Sequence, residues 1–141
     1  MCLIEIRRKT RAKYAYKIFY RQEDKTLIGW GRYRCWTNDK EEYAIGRTYK
    51  SVPFRQRAFD VRKKVASIYK KTGAFHSMVN KGNAIALARL YRGLIVIKVL
   101  MIQPFGVGPA GFFDGTNKEM VIHHGMKLLE VVYGPTNSGG K

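Results

Sequence analysis

Gly106, Gly108 and Gly111 stand in the spacing G-x-G-x-x-G within IQPFGVGPAGFFDG, residues 102–115. That spacing lets backbone amides approach a pyrophosphate, provided a helix opens at the third glycine and turns its amino end to the phosphates. Here the third glycine leads into FFDGTNKE, which brings two aromatics and an Asp-Gly turn, and Pro109 removes an amide where donors are wanted. The segment is therefore predicted to be a long surface loop between two strands, with its glycines supplying turns of positive φ. Other reactive residue types are sparse. His76, His123 and His124 lack the helical spacing of a metal site, and the last two point to opposite faces of a strand. Cys2 and Cys35 are too few for a disulfide framework or a four-cysteine metal site. These residues call for no metal and no resident cofactor.

Cations are abundant. The chain has 141 residues, 27 lysines and arginines, 10 acids and a net charge of +17. Residues 99–141 hold three of each sign, so the whole excess lies in residues 1–98. A field of that size repels itself unless a polyanion neutralises it, and nucleic acid or a nucleoprotein is the expected partner. Two sets of residues would face phosphates. One is the amino-terminal arm, with Arg7, Arg8, Lys9, Arg11 and Lys13. The other is a predicted helix with one stripe of Arg57, Lys64 and Lys71 and another of Arg55, Arg62, Lys63 and Lys70. Tyr14, Tyr16, Tyr20, Trp30, Tyr33 and Trp36 alternate with Lys17, Arg21, Arg32 and Arg34, a composition that can stack on bases of a single strand.

The elements that must position these groups follow from periodicity. Residues 1–6, 13–21, 26–36 and 43–49 read as strands, the last with a bulge at Gly46. Ser51 and Pro53 open the basic helix, Phe54, Ala58, Val61, Val65 and Ile68 give it one apolar face, and Gly73 ends it. Residues 73–77, GAFHS, are short and extended, and a second helix is expected over about 83–92. Residues 94–102, LIVIKVLMI, form a buried strand, and residues 118–124 and 126–133 a hairpin turning at His124-Gly125. The fold class predicted is α+β: one domain over 1–133, a mixed, largely antiparallel sheet with two helices packed on it, and a disordered tail over 134–141. The apolar MCLIEI precedes its basic residues and does not read as a signal peptide, and residues 94–102 are half the length of a membrane span, so no membrane partner is expected.

The order of elements from Tyr14 onward resembles the ADP-ribosyltransferase-like fold. The counterparts are an early strand YKIFYR, a hydroxyl residue before a helix in GAFHSMVNKGNAIALARL, a buried strand LIVIKVLMI, and NKEMVIHH as the strand opening with the catalytic Glu. The resemblance implies a catalytic site of Glu119, which would hold a ribose hydroxyl, Ser77, which would order the site, and Lys17 or Arg21 on the first strand, with NAD as cofactor. The chain is also similar to small phage-encoded proteins with a Y-K-[IV] strand, an I-G-x-x-Y segment and G-x-[FL]-H ahead of a helix. That likeness implies a phage or mobile-element origin and a place in the host cytoplasm or the virion. Two alternatives to plain nucleic-acid binding thus stand: a transferase or its inactive relative, and a virion or assembly component docking an acidic partner.

Overall fold

A computed structural model describes residues 9–21, 27–29, 43–51, 75–111 and 117–134. These form a mostly antiparallel sheet and one helix. In chain order the elements are β1 (Tyr14–Arg21), β2 (Leu27–Gly29), β3 (Thr48–Lys50), β4 (Phe75–Met78), α1 (Lys81–Ala88), β5 (Leu94–Gly111) and β6 (Asn117–Tyr133).

The sheet closes on itself. β5 pairs with β1 along one edge and with β6 along the other, while β4 joins β6 to β1, meeting the latter through Tyr16 and Met78. β2 extends the free stretch of β1 and β3 the free stretch of β6, with a further bridge from Leu27 to Tyr43. Length drives this closure. Eighteen residues of extended chain span about 60 Å, well beyond the width of a domain whose radius of gyration is about 14 Å. β5 must therefore coil, and its register against β6 shifts at Val96/Ile97, Lys98/Val99 and Pro104/Gly106. Gln103, between the last two shifts, has φ 52°.

Period-two alternation sorts side chains to two faces. The inner face gathers Ala15, Phe19, Phe75, Ile97, Val99, Val107, Val121, Met126 and Leu128 with Leu27 and two tyrosines. Tyr43 stands 4.7 Å edge-on from Tyr49 and 5.2 Å from Phe19, an aromatic chain through the core. The outer face is buried where α1 packs on β1, β4 and β5, through Ala84, Leu87 and Ala88 of the helix and Ile18, Met78 and Val96 of the sheet. The Oδ1 of Asn80 caps α1 by accepting the Asn83 N–H at 3.0 Å. Past the helix, Gly93 has φ 86°, and a Cβ there would stand 2.9 Å from the Tyr20 ring.

Several expectations are corrected. Gly106, Gly108 and Gly111 do not line a loop: they lie in β5, opposite Ile122, Met120 and Asn117. Among the described residues the glycines of positive φ are Gly46, Gly93 and Gly134. Among the described residues β1 accompanies β5 only to Leu100, so beyond it that side of β5 is an edge, where Pro104 and Pro109 are tolerated. There is no hairpin at His124-Gly125, since β6 runs through it. Gly46 lies in a turn and not in a bulged strand. One helix is described where two were expected, at Lys81–Ala88 against the anticipated 83–92. The basic helix, the strand over 1–6 and the tail fall outside the described residues, apart from Gly134.

Candidate functional site

Two polar regions result. The first is inside the closed sheet. Lys17, Ser77 and His123 are buried on the inner face among apolar side chains. Pairing of Phe75 with His123 and of Ser77 with Val121 sets the serine and histidine diagonally across β4 and β6. Ser77 Oγ and His123 Nε2 are 2.8 Å apart, and His123 Nδ1 is 2.9 Å from the Gly125 carbonyl. A carbonyl only accepts, so Nδ1 carries the proton and Nε2 accepts the Ser77 hydroxyl. Lys17 Nζ donates to the His76 carbonyl at 2.8 Å and lies 5.6 Å from the Phe75 ring centroid.

Electrostatics follow from enclosure. Burial lowers the Lys17 ammonium to a pKa of about 8. Burial likewise takes His123 down to about 3, against the opposing bond to Gly125, with Lys17 adding a smaller push. His76 is held well below its ordinary value by burial first and then by Lys17. At neutral pH His123 is therefore a neutral acceptor. A hydroxyl donating to such an imidazole has the connectivity of a nucleophile and its base, but Ser77 is 1% exposed and His123 is 0% exposed. In this closed state the cluster braces the chain. It fixes β6 where a Cβ on Gly125 would come within 3.1 Å of the Tyr49 carbonyl oxygen.

The second region is outside. Thr48 pairs with Lys127, Lys127 with Leu100, and Leu100 with Tyr14, so one row of outward side chains crosses β3, β6, β5 and β1. Their strand neighbours Tyr49, Val99 and Leu128 fill the core, as alternation requires. Lys50 and Ile102 flank the row on one side, and Lys98 on the other. Lys98 Nζ stands 4.5 Å from the Tyr14 ring centroid. Lys13 continues the β1 ladder by accepting the Met101 N–H through its carbonyl, so the arm leaves the sheet beside this row.

The residues singled out from sequence divide between these regions. Lys17 and Ser77 come together around the His76 backbone in the interior. Glu119 lies on β6 four residues before His123 but is exposed, and Arg21 is half-buried at the far end of β1. Lys9, Arg11 and Lys13 are exposed. Arg7, Arg8, Arg55, Arg57, Arg62, Lys63, Lys64, Lys70 and Lys71 lie outside the described residues, as do Trp30, Tyr33 and Trp36. Sequence reasoning missed His123 as the partner of Ser77, and missed Lys50, Lys98 and Lys127 as a surface set. Register alone reveals both.

Among the described residues no three His, Cys, Asp or Glu side chains gather as metal ligands, and no helix is long and apolar enough to cross a membrane. No protein family, curated protein or solved structure matches the chain.

Proposed function

We propose that this protein binds nucleic acid or a nucleoprotein through a cationic surface made of the amino-terminal arm and the outer face of the closed sheet. One observation carries the reading. Among the described residues thirteen are lysine or arginine and two, Glu119 and Glu130, are acids; nine of the cations are exposed. Such an excess costs self-repulsion and is relieved by a polyanion. A second helix over residues 54–71 would complete the α+β arrangement and add Arg57, Lys64 and Lys71 to the same function. The resemblance of its short Y-K-I, I-G-x-x-Y and F-H segments to phage-encoded proteins would add a setting, the host cytoplasm or the virion, where nucleoprotein is one polyanion to hand.

The test is salt dependence. On duplex DNA, log affinity should fall with log salt at a slope of about −0.9 for each phosphate neutralised. Replacing the exposed Lys50 and Lys127 together by Gln should shallow that slope and leave the melting temperature nearly unchanged, since exposed charges contribute little to folding. A flat salt response, or no binding to DNA or RNA at low salt, would sink the proposal in favour of an acidic protein partner.

A further inference from the structure

We infer that the row Thr48–Lys127–Leu100–Tyr14, with Lys98 beside it, is a seat for single-stranded nucleic acid, on which Tyr14 stacks a base. The inference rests on the nucleic-acid reading above and names the form of nucleic acid that this face takes. The row crosses four strands, three interstrand steps of about 4.8 Å, or about 14 Å. It is the part of the outer face that the α1-covered residues Ile18, Met78 and Val96 do not occupy. Tyr14 is 47% exposed and Ile102 38%, and the half-buried Leu100 pairs with Tyr14 and precedes Ile102 by two residues on β5.

A single exposed apolar side chain needs no explanation, but a contiguous set bordered by lysines does. Lys50, Lys98 and Lys127 surround the apolar centre, and Lys13 adds a fourth cation where the arm departs. Glu130, opposite Lys98, is the one acid among the described residues at this row. The charge thus matches a polyanion. Its apolar centre matches something more than phosphate. In a duplex, base faces are stacked on one another and the surface offered is backbone. A single strand exposes base faces, and aromatic side chains between cations are what hold them. Lys98 above Tyr14 orders the ring by cation–π attraction and holds its own ammonium where a phosphate next to the stacked base would come.

The experiment compares a fluorescein-labelled oligo(dT) with a duplex of equal length at one salt concentration. The wild type should bind the single strand more tightly. Tyr14→Ala should weaken oligo(dT) binding by about tenfold, within the range for loss of one stacked base, and leave duplex binding unchanged. Tyr14→Phe should restore oligo(dT) binding, because the ring is kept. Circular dichroism and melting temperature establish that each variant is folded. If Tyr14→Ala leaves oligo(dT) binding intact, or lowers both ligands equally, the seat is refuted. Preference of the wild type for duplex refutes it while preserving the broader reading. Failure of the wild type to bind either ligand removes both.

Discussion

The inner and outer faces of β6 treat polar groups in opposite ways. On the inner side of the sheet three polar side chains meet partners: Ser77 on His123, His123 on Gly125, Lys17 on the His76 carbonyl. On the outer face Lys127 and Glu130 stand in water. The difference teaches where to look for function. A buried polar network is satisfied by geometry, so its members are tied to the fold, and disturbing one costs stability. Exposed charges cost little to remove and are free to meet a ligand. Removing interior groups should therefore move the melting temperature, and removing outer groups should move binding.

The largest effect is expected at His123. His123→Ala deletes a buried ring and strands both the Ser77 hydroxyl and the Gly125 carbonyl. Cavity formation and lost hydrogen bonding should together cost about 4 kcal/mol, or roughly 10 °C in melting temperature for a chain of this length. The variant also tests the protonation state. Because the folded pKa of His123, about 3, lies below the ordinary 6.5, the unfolded chain binds the extra proton between those values. Stability should be full above pH 6.5 and fall as pH drops toward 3. In His123→Ala that acid limb should flatten. A wild-type melting temperature constant from pH 6.5 to 4 would break the assignment of a neutral, enclosed imidazole.

Lys17→Met is the next largest and has the opposite sign. Among the described residues the buried ammonium has one hydrogen bond, fewer than it would make in water, and a methionine fills similar volume without the charge. The depression from 10.5 to about 8 corresponds to roughly 3 kcal/mol of penalty at pH 7. The unfolded chain binds the extra proton between pH 8 and 10.5, so the wild type recovers stability as pH rises through that window. The advantage of Lys17→Met should be full below pH 8 and vanish toward pH 10.5. A destabilised Lys17→Met at pH 7 would mean that Lys17 has a bound role in the fold beyond its contact with His76.

What could be read in the sequence divides along the same line as the two faces. β1 was legible because Ala15, Lys17 and Phe19 alternate with Tyr14, Tyr16 and Ile18, and alternation is local. The start of β5 was legible from its β-branched run. Its extension through Pro104, Gly106, Gly108 and Pro109 was not, because these residues punctuate chains locally while the pairing with β6 is set by distant residues. His123-His124-Gly125 likewise resembles a turn; it lies within β6, where the close approach of Tyr49 and Ile102 needs the absent Cβ of Gly125. The alignment of Ser77 with His123, 46 residues apart, depends on the β4–β6 register, which no local pattern carries. The arm cations at Lys9, Arg11 and Lys13 were legible because charge needs no register. Their neighbours Lys98 and Lys127 were not, since only folding brings them beside the arm.

The smallest effect is expected at Glu119, which sharpens the comparison most because it shares a strand with His123. Four residues along β6 separate an enclosed imidazole from an exposed carboxylate. Glu119→Gln should change the melting temperature by no more than an exposed ion pair is worth, about 1 kcal/mol or less. It also removes one negative charge from a cationic protein, so affinity for a polyanion should rise slightly. The same variant decides the transferase alternative. Catalysis of ADP-ribose transfer would require Glu119 to act with a Ser77 that, at 1% exposure, is enclosed with His123 on the inner side of the sheet. For a substrate to meet both, the enclosed Ser77 would have to become accessible. The expected outcome is therefore no release of nicotinamide from NAD by the wild type, and near-identical behaviour of Glu119→Gln. Nicotinamide release by the wild type, lost in Glu119→Gln at unchanged melting temperature, would make the enclosed cluster a site that opens.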